Sequence, residues 1–497
     1  MSRERGALAL VLHSHMPYVE GFGTWPFGEE WLWEAIATVY LPLAELLAEA
    51  GASVTLGLTP VLCDQLETLT GPAGQRLLGF LDETRAIVHA EDAAGLEDGG
   101  EPALAAEVRR AALDYSSAAD ALRENGADVL GELAGPAVGG PVELWTSAAT
   151  HAVLPLVATD AGRRLQLATG FAAHKRRFGS FGGGLWLPEC AYEPGLERQV
   201  AAHGARVICV DQTDAHGLGS LDALEPVLTD AGVVAVPIDW QSIGLVWGKG
   251  SGYPADATYR DYHRRTTRDL RPWANSGQAY DADAANALAT EHARDFVEHC
   301  IERLDSYARE RGRRGVLCCA LDTELLGHWW YEGLTWLRAA LATARERGLE
   351  LATVSDAIER TDLVQRPLTA STWGRRRDMS TWDSPQVAEL VFDVRRAELL
   401  TVARAGELQR GAPEAFERAA RELLALQSSD WAFQITGELA GDYPRRRVRG
   451  HMNALADALR STRAPAGASG DYASASMLEG ALRNLAPDLD PASLLAP

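Results

Sequence analysis

A chain of 497 residues with a formal charge of −22 carries a field that repels nucleic acid and anionic membrane and suits an uncharged substrate. A hydrophobic share of 46% and a charged share of 23% are those of a globular protein with two or three domains, which excludes a disordered or fibrous chain. Cysteines 63, 190, 209, 300, 318 and 319 show no CxxC spacing and no disulfide-framework density, so reduced thiols in a cytoplasmic protein are expected.

The first residues carry no long apolar region with a small-residue cleavage site, and no stretch is expected to span a membrane. Residues 7–12 read as an apolar strand that closes on His13. His15 lies two positions on, so at ideal pleat both imidazoles point the same way. Residues 29–50 read as a helix, and 54–58 as a second strand. Residues 71–140 break the rhythm: rich in Ala, Glu, Leu and Arg, they predict a helical insertion. Further short apolar runs follow at 142–145, 185–187 before Glu189, 207–210 before Asp211, 233–238 before Asp239, 316–321 before Asp322, and 349–354. Helical patterns such as 284–311 separate many of them. Strands alternating with helices predict a parallel α/β sheet, and polar residues at the strand ends favour a barrel with its site on that face. An open doubly wound sheet stays possible, because sequence does not show closure.

Past residue 366 strands give way to helical periodicity at 387–404 and 414–427, which predicts a helical C-terminal domain. The expected organisation is a catalytic unit of residues 1–70 and 141–365, an insertion of 71–140, and a helical domain of 366–497. Residues 462–476 and 486–497 read as linker and mobile tail.

Two segments carry the chemistry. Gly184-Leu-Trp-Leu-Pro-Glu-Cys-Ala-Tyr192 and Ala320-Leu-Asp-Thr-Glu-Leu-Leu-Gly-His-Trp-Trp-Tyr-Glu-Gly333 each run from an apolar strand into carboxylates set among aromatic rings. An unpaired carboxylate is costly to bury, so such a position points to function, and flat rings suit sugar faces. Glu189 and Asp322 therefore read as the acid pair of a glycosidase. A helix N-cap is the plainer role for Asp322, and Glu324 competes with it. His13, His15, His151, Asp211 and Asp322 offer a rival metal site, which would suit a metal-dependent polysaccharide deacetylase. Trp373 and Trp382 flank a Gly–Arg loop that either covers a cleft or packs domains together. Arg375-Arg-Arg377 and Arg445-Arg-Arg447 read as solvated faces or partners of carboxylates. Asp430-Trp431-Ala-Phe433 reads as interdomain packing.

His13-Ser-His-Met-Pro-Tyr18, Glu143-Leu-Trp-Thr-Ser-Ala-Ala-Thr-His151, Trp186-Leu-Pro-Glu-Cys-Ala-Tyr192 and Asp322-Thr-Glu-Leu-Leu-Gly-His-Trp-Trp-Tyr-Glu-Gly333 resemble, in order, the signature regions of glycoside hydrolase family 57. The segments Val246-Trp247 to Gly252-Tyr-Pro254, Trp373 to Trp382, and Leu426-Gln-Ser-Ser-Asp-Trp431 resemble its 1,4-α-glucan branching subgroup. The resemblance implies a (β/α)7 distorted TIM-like barrel with a helical insertion and an all-helical C-terminal domain. It implies retaining chemistry with no metal and no cofactor, Glu189 as nucleophile and Asp322 as acid/base. His13, His15, His151, Trp247, Trp373, Trp382 and His328 would line the subsites. The partner would be an α-glucan such as glycogen, amylose or a related polysaccharide, handled by a monomer or small homo-oligomer in glycogen biosynthesis. Two departures stand out: residues 214–234 contain no tyrosine where the subgroup carries one on a shielding loop, and Ile238 replaces an arginine. They predict weak or specialised branching. A mainly hydrolytic α-glucanase is the alternative within the family, and a non-catalytic glucan-binding protein the alternative outside it.

Overall fold

Strand β1, Gly6–Ser14, is buried along its whole length, as its unbroken apolar run requires of a strand covered on both faces. In the computed structural model, which describes residues 5–248, 250–460, 482 and 484–495, it lies at the centre of a parallel sheet. The other strands are β2 (Val54–Leu58), β3 (Val142–Trp145), β4 (Gly184–Leu185), β5 (Val207–Val210), β6 (Val227–Leu228), β7 (Val234–Pro237), β8 (Gly315–Asp322) and β9 (Glu350–Leu351). β1 pairs with β2 towards its C-terminal end and with β9 at its start, while its other edge runs beside β8 from Gly6 opposite Gly315 to His13 opposite Asp322.

Two single bridges close the ring. Thr146 meets Leu185, joining β3 to β4, and Ile238 meets Cys318, joining β7 to β8. The circuit β1-β2-β3-β4-β5-β7-β8 is thus a seven-stranded parallel barrel, with β6 hung antiparallel on β7. At its tightest seam Gly184 lies so close to Trp145 that a Cβ would stand 1.9 Å from the indole Nε1. Parallel strands all end on one rim, and there the chain places His13, Glu189, Asp211, Asp239 and Asp322.

The insertion is helical, its long helix Pro102–Glu124 packing on Ala86–Asp98 and burying Tyr115, Ala119 and Leu122 in the barrel's own core. Helix Glu29–Ala50 corrects one expectation, because it is long and apolar enough to cross a membrane. Leu32, Trp33, Ile36, Val39, Tyr40 and Leu43 are instead spent on the core.

Helices Ala388–Gly411, Pro413–Leu426, Ser429–Gly437 and Tyr443–Arg460 form the C-terminal region. Their core takes in Tyr18, Val61, Ala149 and Leu165 from the barrel. Arg447 departs from the solvated face its cluster suggests: it is buried, with its guanidinium 3.6 Å from the Phe22 ring centre and 4.8 Å from that of Trp431. Stacking on aromatic faces is a use arginine serves well. Residues 486–495, the described part of the expected tail, are docked together with the residues just before them. Leu485 and Leu494 are buried, Ala486 N–H donates to Asp64 at 2.7 Å, and Leu485 C=O accepts from Arg421 at 2.9 Å. The expected linker at 462–476 lies outside the described residues. Replacing Gly184 by alanine overpacks the β3–β4 seam; urea titration should show a loss of about 1–3 kcal/mol against the wild type.

Candidate active site at the barrel rim

β4 passes into a tight turn, Pro188–Cys190, closed by Cys190 N–H to Leu187 C=O at 2.8 Å. Pro188 sets the entry, and Glu189 (φ 59°) and Cys190 (φ 50°) follow in left-handed conformation. Such residues cost on the order of 1–3 kcal/mol each when they are not glycine. Nine of them occur among the described residues, and His151, Glu189, Cys190, Arg376 and Arg377 all belong to this rim. The backbone is strained where it aims side chains.

The turn presents the Glu189 carboxylate to Trp373, whose Nε1–H donates to it at 3.1 Å. The Trp373 backbone N–H also donates to Glu189 C=O at 3.1 Å. His151 Nδ1 stands 3.6 Å from the other oxygen, and the Ser429 hydroxyl is a further hydrogen-bond partner. Burial raises the Glu189 pKa, and the bonds from Ser429 and Trp373 oppose it by favouring the charged form.

The three histidines are stacked rather than convergent. His13 and His151 share a hydrogen bond between Nε2 atoms at 2.9 Å, and the His15 and His151 rings lie 4.0 Å apart at 21°. Trp186 closes the stack over His13 at 4.7 Å. Burial, then the neighbouring His15, holds His13 well below the usual imidazole range; burial followed by both neighbours does the same for His151. His15 goes the other way. Burial lowers its pKa, but Asp430, bonded to Nε2 at 3.0 Å, with Glu189 and Glu324, raises it overall. One imidazole is thus pushed up and two are pushed down. Among the described residues no group of three or more His, Cys, Asp or Glu has an arrangement that could hold a metal ion.

Asp322 ends β8 and heads the turn Thr323–Leu325, but its side chain makes no cap hydrogen bond, which sets aside the N-cap role. Burial, then the Glu324 and Glu189 charges, holds its carboxyl well above the usual range. Glu324 is braced instead: Tyr40 OH donates to it at 2.5 Å and His15 N–H at 3.1 Å. Burial pushes Glu324 up to about 7. Of the two carboxyls, Asp322 is the one without a donor among the described residues, and Glu324 is its braced neighbour.

Two residues of this site were not expected there. Ser429 and Asp430 open the helix Ser429–Gly437 of the C-terminal region, and both reach the barrel's histidines. Asp430 was expected to serve packing. The signal was the segment Leu426–Trp431, which resembles the branching subgroup without showing that its polar residues turn to the barrel.

Trp373 lies at the site, 4.8 Å from Trp186. Trp382 does not line it. At 3% exposure it packs among Val153, Ala191, Val387 and Ala432, beneath the loop that carries Trp373. Gly374 leaves room for it, since a Cβ there would sit 2.6 Å from the Trp382 ring. Trp247 (42% exposed) and Trp329 (41%) form an aromatic surface with Tyr262, which stacks on Trp329 at 5.1 Å. His328 packs edge-on to Tyr262, and burial with Arg271 and Arg265 pushes its pKa down to about 3. Trp329 N–H donates to Glu324 C=O at 3.3 Å, tying this surface to the acid strand. Asp211 accepts from Trp240 Nε1–H at 2.6 Å and Thr213 N–H at 2.9 Å, and Asp239 from Arg303 at 2.6 Å.

The glycosyl hydrolase family 57 profile matches residues 9–368, and the profile of the C-terminal region of 1,4-alpha-glucan branching enzyme matches residues 395–485. The chain belongs to glycosyl hydrolase family 57. It is 33% identical to a 1,4-alpha-glucan branching enzyme of Thermococcus kodakarensis, over 90% of this chain and 72% of that protein. It is 34% identical to a probable 1,4-alpha-glucan branching enzyme of Mycobacterium tuberculosis, over 90% of this chain and 91% of the relative. The crystal structure of a family 57 branching enzyme from Pyrococcus horikoshii superposes with a TM-score of 0.89 at 26% identity, covering 99% of this chain and 97% of that one. Family 57 membership, carried by the whole catalytic portion, displaces the deacetylase reading.

Because the Glu324 charge raises the Asp322 pKa, Glu324→Gln should lower it. The proton that Asp322 must donate is then lost at lower pH. The alkaline limb of a kcat/KM profile should move down the pH scale; a limb that stays or rises would remove Glu324 from this role.

Proposed function

We propose that the protein is a retaining 1,4-α-glucan branching enzyme. The observation that carries this is the contrast between two buried carboxylates on one rim. Burial raises both, but Glu189 has hydrogen bonds from Trp373 and Ser429 that oppose the rise by favouring its charge, whereas burial and the Glu324 and Glu189 charges all push the Asp322 carboxyl well above the usual range. Environments that push two carboxyls apart divide nucleophile from acid.

The Glu189 carboxylate attacks C1 of a glucosyl unit while Asp322 gives its proton to O4 of the departing chain. The chain leaves with a free 4-hydroxyl and the remainder stays as an ester on Glu189. The Asp322 carboxylate, now charged, takes the proton of a 6-hydroxyl on an acceptor glucan. That oxygen attacks C1, freeing Glu189 and forming an α-1,6 bond with configuration retained. Trp373, backed by the fully buried Trp186, offers its ring beside the reacting sugar, and Trp247, Trp329 and Tyr262 offer an aromatic platform for the acceptor. Six unpaired, buried cysteines support a reducing, cytoplasmic setting, where the product would be a glycogen-like glucan.

A second reading, a mainly hydrolytic α-glucanase, is favoured by one observation: residues 214–234 contain no tyrosine. Incubation with amylose separates the two. Branching yields new α-1,6 linkages in excess of new reducing ends, and hydrolysis yields reducing ends alone. Asp322→Asn should lower turnover on the order of 10²–10⁴-fold. Glu189→Gln should abolish it with the circular dichroism spectrum unchanged; near-native turnover in that variant would sink the assignment.

A further inference from the structure

The turn that carries Trp373 is closed by an arginine in a conformation that disfavours it. Arg377 N–H donates to Gly374 C=O at 2.9 Å and its own C=O accepts from Thr372 N–H at 3.2 Å, so the turn folds back around Trp373. Arg376 (φ 63°) and Arg377 (φ 54°) are consecutive left-handed residues, where glycine would fit without penalty. A strained side chain that persists at an active site points to a use for that side chain.

The use is visible in what Arg377 reaches. Its Nε lies 3.3 Å from Asp211, its Nη1 lies 3.5 Å from Asp214, and its guanidinium stands 5.1 Å over the Trp240 ring. Asp211 is fully buried at the end of β5, and the same oxygen that faces Arg377 accepts the Trp240 indole N–H. On the other side, Trp373 holds the Glu189 carboxylate. Arg377 therefore spans from the nucleophile's indole partner to the segment that follows β5.

That segment is the tyrosine-free one. Asp214 lies in its first helical turn, Thr213–His216, and its apex at Leu218 is 68% exposed between Gly217 and Gly219. Just past that apex it is held by Arg303, which donates to Gly219 C=O at 3.0 Å, Ser220 C=O at 3.2 Å and Asp239 at 2.6 Å. Arg377 supplies the anchor before the apex. The stretch from Asp214 to Ser220 is thus fixed on both sides of its exposed tip.

We propose that Arg377 is a positioning and specificity-determining residue of the transfer reaction, clamping the Trp373 turn to the Asp211–Asp214 segment so that the glycosyl ester on Glu189 meets an acceptor hydroxyl in preference to water. This rests on the branching reading above. Water exclusion decides between the two fates of such an ester. An arginine over an indole with two carboxylate partners is a stiffer tether than a single exposed ion pair.

The test compares wild type, Arg377→Gly, Arg377→Lys and Asp214→Asn on amylose, counting reducing ends and α-1,6 linkages. Arg377→Gly relieves the left-handed strain, so its melting temperature should hold or rise. Its reducing ends per branch point should increase about fivefold, with total bonds cleaved within about twofold of wild type. Arg377→Lys, which keeps charge but loses the planar stack, should fall between, and Asp214→Asn should move the ratio the same way by less. An unchanged ratio in Arg377→Gly overturns the clamp, as does a fall in melting temperature with both products reduced in proportion. The two failures are distinct: a wild-type protein that forms no branch points overturns the branching reading itself.

Discussion

The register of β1 on β8 is the constraint from which the site follows. Eight consecutive pairs lock the two strands, and the last sets His13 beside Asp322. A slip of one residue would turn every side chain of β1 to the other face, setting Leu8, Leu10 and Leu12 where Ala7, Ala9 and Val11 now stand. Both faces are buried, so close packing around alanine on one and leucine on the other forbids that slip. Core packing thus fixes, to within a fraction of a residue spacing, where the acid stands relative to the histidine stack.

Around that fixed pair the protein separates charges by environment. Donors are supplied to Glu189 and withheld from Asp322. Asp430 is hydrogen-bonded to His15, whereas His13 and His151 bond to each other and His151 to the Ser429 hydroxyl. Burial alone would raise Asp430, but the pull of His15 and the bonds from His15 and Ser428 outweigh it and hold Asp430 below the usual carboxylate range. The arrangement is preorganised by strained backbone at His151, Glu189 and Cys190, so the reacting groups need little motion to engage a sugar.

The strand ends are legible in the sequence because a carboxylate that closes an apolar run has few inexpensive places to go. Glu189, Asp322 and the HxH pair are found by that rule. Choosing Asp322 over Glu324 needs the structure, since only Tyr40 and the His15 amide, both distant in sequence, show that Glu324 is occupied. Ring closure is equally hidden, because it rests on two single bridges, Thr146–Leu185 and Ile238–Cys318. Trp373 and Trp382 look alike in the sequence and part company in three dimensions, one facing the nucleophile and the other filling the space beneath. Asp430 is read as packing because Trp431 and Phe433 beside it are large apolar rings, and its bond to His15 spans residues far apart in the chain.

Ser429 and Asp430 have a consequence for the order of events in the life of the chain. Both belong to the last quarter of the sequence, yet they hold His151 and His15 of the first third. A chain ending before residue 429 would keep Glu189 and Asp322 on the barrel but leave His15 without the Asp430 carboxylate and His151 without the Ser429 hydroxyl. The part of the molecule made last thus completes the surroundings of the part made first.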